Sequence, residues 1–412
     1  MDRKVSTAYL KVGMHVSKLD RPWVQTPFLL QGFLIKDEDE IYTLVQHCNF
    51  VYIDIDLGIK ADMYLDKASG PVIQSRQTLA TNKRVEEIIT TGNKNIEYID
   101  KSTTVDELPE AKAAFDKAAE CVERIVEGDL KEGRLDLATV KSAVSPILES
   151  MIRNSDAFMW LSKMQEQDSH SYEHSVQNCA LGIAFGRHMG MKKIELNTLA
   201  TGLLLMDIGK IRLPKELLQK GSELTPAETE VLRKHVAFTV DILRKTKGIN
   251  EHVINIALTH HERYDGSGYP NALVGVQTPV YGRIAGIIDC YDTMITSTPH
   301  KEAISEHKAL QEIYNMRDQL FQQQLVEQFM QCMGVYPTGS LVELSSGSVG
   351  AVLSQNTQQK LNPKIIMLLD EDKRVYKKRC VFDLSKQEKT RLHITKSLEN
   401  LSYGIDVKQV GL

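Results

Sequence analysis

The stretch HHERYDGSGYP, residues 260–270, decides how this chain is read. It sets two adjacent histidines before an acid, an arginine and a tyrosine preceded by two glycines, Gly266 and Gly268. The preceding run, HVINIALT, is apolar at helical spacing, so His260 and His261 close a buried helix. Neighbouring helical residues point about 100° apart, which suits ligation of two different ions. Gly266 and Gly268 permit a tight turn that brings Tyr269 and Pro270 to the rim of a pocket. Arg263 is expected to fix that loop through a carboxylate.

Working outward, seven of the 12 histidines fall between positions 170 and 261: His170, His174, His188, His235, His252, His260 and His261. Imidazole nitrogen and carboxylate oxygen together suit Fe, Mn or Zn, and one carboxylate can bridge two cations, a pair matched to phosphoester hydrolysis. His174 opens the helix HSVQNCALGIAFGRH, while Met206 and Asp207 end the apolar run LATGLLLMD. His235 lies mid-helix among Val231, Leu232, Val236 and Phe238 and faces inward; Asp289 lies in the apolar helix GRIAGIIDCYD. Taken alone, His235 reads more readily as a satisfied core histidine than as a ligand. Taken together, buried imidazoles and carboxylates facing one another across a bundle are costly without metals. His188 and His252 are read as surface histidines on charged helices and receive no role.

In this order (His174, the D and K of DIGK at Asp207 and Lys210, KH at 234–235, HHERYDGSGYP, and DCYD from Asp289) the motifs resemble the HD-GYP family of cyclic-dinucleotide phosphodiesterases over about residues 150–335. PWVQTPFLLQGFLI also resembles a module found in front of some members. The resemblance implies an all-α HD-type helical bundle. It implies metal ligation by His174, Asp207, His235, His260, His261 and Asp289, with Asp207 bridging two divalent cations. Fe or Mn is the expected metal, with Mg, Ni or Zn as alternatives. Lys210 would contact the substrate phosphate, with Asp207 and Lys210 as the catalytic pair and Tyr269, Lys301 and Arg263 as candidate substrate contacts. The implied reaction is hydrolysis of cyclic di-GMP or 3′3′-cyclic GMP-AMP to the linear 5′-phosphorylated dinucleotide.

Three positions depart from the family pattern. Met206 stands where the family has the histidine of its His-Asp pair; a neutral, soft thioether is a poor ligand for Fe(II) or Mn(II), and core packing is the preferred reading. One cation is then either held with fewer protein ligands or absent. His170 stands where some members place a glutamate serving a third metal, and is a candidate ligand for it. Thr298 replaces an arginine, while Lys301 keeps a basic group. The competing function is a degenerate sensor or protein-interaction module that binds without turnover.

The rest of the chain bounds these readings. Its 412 residues exceed one ordinary core. Residues 1–65 read as a small α+β accessory module through which a signalling protein partner could act, and 66–108 as a polar linker. Residues 109–335 read as helical and 336–412 as a β extension with a polar tail. The chain is therefore expected to be mainly α. Within LTPAETEVLRKH, Thr225, Pro226 and Glu228 form a helix start with a capping box. A net charge of −4 argues against a duplex nucleic-acid partner. No run is long and apolar enough for a membrane span and MDRKVSTAYL lacks a signal-peptide core, so a cytoplasmic location is expected. The six scattered cysteines read as buried free thiols.

Overall fold

Hydrophobic periodicity switches from two to three-and-four and back along the chain, and the computed structural model follows it. The structure describes residues 2–7, 10, 12–23, 26, 28, 32–48, 50–58, 76–92, 94, 96–129, 135–164, 172–297, 302–356, 359–376, 378, 380–387 and 392–407. The chain divides into two units, Met1–Gly70 and Pro71–Leu412.

The first unit is a four-stranded antiparallel sheet with one helix. Strands β1 (Asp2–Ser6), β2 (Met14–Leu19), β3 (Phe33–Leu34) and β4 (Phe50–Gly58) are ordered β1-β4-β2-β3. Helix α1 (Glu38–His47) starts at Asp37, whose side chain accepts from the Glu40 amide. Val16, Ile35, Leu44, Val51 and Ile53 are buried in its own small core.

The second unit opens with α2 (Arg76–Thr91), inside the span read as a linker. Val85, Ile88 and Ile89 recur at three and one and are buried, packing into the main core. Two ion pairs, Arg84 with Glu195 and Glu86 with Arg283, tie the helix to distant segments. The polar composition of this stretch is thus the outer face of a docked helix. Behind it come α3 (Thr104–Arg124), α4 (Leu137–Arg153), α5 (Ser155–Met164), α6 (Tyr172–His188), α7 (Lys193–Leu205), α8 (Lys215–Leu218) and α9 (Pro226–Lys245). The bundle continues with α10 (Glu251–Thr259), α11 (Val280–Ile295), α12 (Glu306–Asn315) and α13 (Gln323–Met333).

α9 begins where its capping box places it. The Thr225 hydroxyl accepts from the Glu228 amide at 3.3 Å, and the Glu228 carboxylate accepts from the Thr225 amide at 2.8 Å. One apolar core runs through all the long helices from α2 to α13. After Met333 the chain forms β5 (Leu341–Leu344), β6 (Val349–Ser354), β7 (Lys364–Leu369), β8 (Val381–Asp383) and β9 (Ile394–Leu398), a five-stranded sheet ordered β8-β7-β6-β5-β9. Trp160 of α5 packs against its Leu341, Ala351 and Ile366, so this extension shares a core with the bundle.

Of the cysteines, Cys48, Cys121 and Cys179 are buried, but Cys380 is exposed on the sheet extension. His252 also differs from the surface reading. It is buried, with its ring edge-on to Tyr281 at 4.8 Å, because the charged face of α10 is confined to its first turn. His188 is half-buried, and burial pushes its pKa down to about 4. Among the described residues, no helix is long and apolar enough to cross a membrane.

Candidate metal centre

Two helix ends and one helix interior bring the site together. α7 stops at Met206, and Asp207 starts a short 3₁₀ turn, Ile208–Arg212, that carries Lys210. Gly209 lets this turn lie against α9. Its amide donates to Thr239 Oγ1 at 2.9 Å, and a Cβ there would collide with the backbone at His235 and Thr239. His235 projects inward from α9, His260 caps α10, and His261 follows at the head of the loop.

Ligand atoms of Asp207, His235, His260 and His261 all lie within 4.8 Å of one another. Asp207 Oδ1 is 3.2 Å from His235 Nε2 and 3.8 Å from His260 Nε2, while Oδ2 accepts from Lys210 Nζ at 2.9 Å. His235 Nδ1 lies 2.7 Å from Leu232 O, and His260 Nδ1 2.9 Å from Ala257 O. A carbonyl oxygen only accepts, so both Nδ1 atoms carry the proton and both neutral rings leave an Nε2 lone pair beside Asp207 Oδ1, that of His235 also lying 3.1 Å from His261 Nε2. Among the described residues neither that oxygen nor His260 Nε2 has a hydrogen-bond partner. Two lone pairs converging on a carboxylate oxygen are repulsive by themselves and become ligands around a cation. The residues fit a divalent metal.

The electrostatics agree. Burial lowers the pKa of His235, takes His260 down to about 4 and holds His261 well below its usual range, keeping all three imidazoles available as neutral donors. Asp207 is pulled up by burial, but the adjacent Lys210 ammonium outweighs this and holds its carboxyl well below the ordinary range. Asp289 is pushed up to about 7, by burial first and then by the Asp207 charge. Burial lowers Lys210, yet the Asp207 and Asp289 charges raise it overall, so it stays cationic.

The other expected residues are placed as follows. Asp289 Oδ2 is 3.6 Å from His261 Nδ1. His174, in the first turn of α6, bonds through Nδ1 to Asp292 Oδ2 at 2.8 Å, and senses the charges of Asp207 and Lys210. Tyr269 stacks on His261 with ring centroids 4.7 Å apart. Arg263 does fix the loop, but through backbone carbonyls and not a carboxylate: its Nη1 donates to His260 O at 3.1 Å and Glu262 O at 2.9 Å. His170, Thr298 and Lys301 lie outside the described residues.

Three contributors escaped the sequence reading. Glu262, buried, accepts from the amides of Asn271 at 2.7 Å and Leu273 at 2.9 Å, and so shapes the loop. Arg233 covers the Tyr269 ring at 4.7 Å. Asp292 holds His174. Its signal was available, because it stands three residues after Asp289 and residues at that spacing share a helix face.

Comparison with known proteins places matches on both parts of the chain. Residues 155–325 match the family described as HD domain, and residues 2–136 match a domain of unknown function, DUF3391. Residues 155–325 thus carry an HD domain, in keeping with the HD-GYP resemblance of their motifs. Over 392 residues it is 26% identical to the cyclic di-GMP phosphodiesterase PA4108 of Pseudomonas aeruginosa, covering 95% of this chain and 91% of that one. A 3′3′-cGAMP-specific phosphodiesterase 2 of Vibrio cholerae is 33% identical over 154 residues, covering 37% of this chain and 30% of that protein. Among solved structures, a HDG"Y"P protein of Bdellovibrio bacteriovorus, Bd1817, aligns with a TM-score of 0.47 at 17% identity, over 80% of this chain and 98% of that one.

Within this HD domain Met206 is 1% exposed and belongs to the main apolar core. Met206→Leu, a volume-conserving change, is expected to cost less than about 1.5 kcal/mol and to leave bound manganese per chain unchanged. A drop in metal content with the fold intact would make the thioether a ligand.

Proposed function

We propose that the chain is a metal-dependent phosphodiesterase that opens a cyclic dinucleotide, cyclic di-GMP or 3′3′-cyclic GMP-AMP, to the linear 5′-phosphorylated dinucleotide. The observation that carries this reading is the Asp207 carboxylate, which faces two neutral imidazole lone pairs on one oxygen and the Lys210 ammonium on the other. His174, Asp207, His235, His260, His261 and Asp289 would hold two divalent cations, Fe or Mn. When bound, such a pair supplies Lewis-acid stabilisation at phosphoryl oxygens and a nucleophile at neutral pH.

The chain's own groups do the remaining work. Lys210 stays protonated beside Asp207 and offsets negative charge on a phosphate oxygen as it develops. His235 and His260 are almost wholly shielded from solvent, so charges act there at low dielectric. Tyr269, stacked on His261 and covered by Arg233, gives the rim a flat, rigid face for the nucleotide.

The test is chromatography of cyclic di-GMP and 3′3′-cyclic GMP-AMP incubated with protein loaded with Mn(II) or Fe(II). Linear dinucleotide is expected, and Lys210→Gln should lower kcat by about 10²–10³-fold, the scale for losing one charge-stabilising donor. If wild type and Lys210→Gln are equally inert while both still bind the nucleotide, Met206 marks a sensor and the hydrolase reading fails.

A further inference from the structure

We infer that Asp292 is a positioning residue of the metal centre, fixing the tautomer and ring direction of His174 so that Nε2 is presented to a cation. This rests on the metal-centre reading above. Asp292 follows Asp289 by three residues on α11, so the two carboxylates leave the same face of one helix. It is 2% exposed, and its Oδ2 lies 2.8 Å from His174 Nδ1. The carboxylate accepts, so Nδ1 carries the proton and Nε2 is the nitrogen left to face a cation. His174 needs such a tether, because its side chain is 36% exposed and burial alone does not hold the ring.

The rest of the Asp292 carboxylate argues against a packing role. Its Oδ1 is buried and has no hydrogen-bond partner among the described residues. Two other buried acids of this unit are satisfied on both oxygens: Glu107 accepts from Ser150 on one and Ser102 on the other, with Arg153 reaching both, and Glu262 accepts from two loop amides. A buried carboxylate with a single imidazole partner gains little for the fold. Against an imidazole polarised by a cation it gains much more, which is the logic of carboxylate–histidine–metal arrangements.

The test is a Mn(II) titration followed by electron paramagnetic resonance of the free ion, with melting of the EDTA-stripped proteins alongside. Asp292→Ala is expected to weaken Mn(II) binding by about 10–100-fold. Asp292→Asn should fall between, since its amide oxygen still accepts from Nδ1–H but carries no charge. Neither stripped variant should melt below wild type. If both variants keep wild-type affinity while His174→Ala loses it, the positioning role is overturned and the metal reading stands. Lower melting with unchanged affinity makes Asp292 a packing group and overturns it equally. If His174→Ala also binds as wild type does, His174 is no ligand and the metal-centre reading itself fails at that position.

Discussion

Asp207→Asn is expected to abolish turnover, lowering kcat by at least about 10³-fold, the factor that corresponds to several kcal/mol of lost metal-assisted stabilisation. The same protein should lose most of its bound manganese yet melt as a folded domain. Asp207 is the group on which the site converges: Oδ1 faces His235 at 3.2 Å and His260 at 3.8 Å, and Oδ2 takes Lys210 at 2.9 Å. An amide keeps the shape but removes the charge that makes Asp207 a ligand. Placed toward Oδ1, its NH₂ donates to the Nε2 lone pairs and ends their convergence. Placed toward Oδ2, it meets the Lys210 ammonium as donor against donor. Either rotamer removes ligation without opening a cavity, so metal counting separates this change from Lys210→Gln, which should keep its metal. Asp207→Asn with wild-type turnover would remove Asp207 from the chemistry.

The parts of this site that were legible in the sequence are those whose signal is local. The α9 start was readable because Thr225, Pro226 and Glu228 act within one turn. His260 and His261 were readable because they end an apolar run, and Asp207 because it ends another. What was not legible depends on partners far away in sequence. α2 looked like a linker because its polar residues outnumber its apolar ones; only the ion pairs to Glu195 and Arg283, more than 100 residues on, show what those charges meet. His252 looked like a surface residue because a glutamate precedes it, whereas burial is decided by the Tyr281 ring across from it. Asp292 was visible in DCYD, but its role depends on His174, 118 residues earlier. Arg263 was read with the right task and the wrong partner, since carbonyl acceptors leave no mark in a sequence.

Gly268→Ala is expected to lower kcat/KM by about 10²-fold, the penalty for roughly 1 Å of misplacement next to reacting groups. A Cβ at Gly268 would lie less than 3.0 Å from backbone atoms of His261, Glu262 and Arg263. Backbone cannot swing aside as a side chain can, so the loop itself must lift. Three attachments oppose that movement: the Tyr269 amide donates to His261 O at 3.2 Å, and Glu262 takes the amides of Asn271 and Leu273. They define the height of Tyr269 over His261, a 4.7 Å stack that is the first thing to open. Overpacking of this kind costs about 1–3 kcal/mol of stability, so the domain should melt lower yet remain folded at room temperature. Because the Tyr269 rim is displaced more than His235 or Asp207, the loss should fall mainly on KM, with manganese content retained in large part. Gly221→Ala is the control, since a Cβ there meets nothing within 4 Å and should change neither quantity. A Gly268→Ala protein with wild-type KM would show that the rim does not touch the nucleotide, and Tyr269 would then act only as a cover for His261.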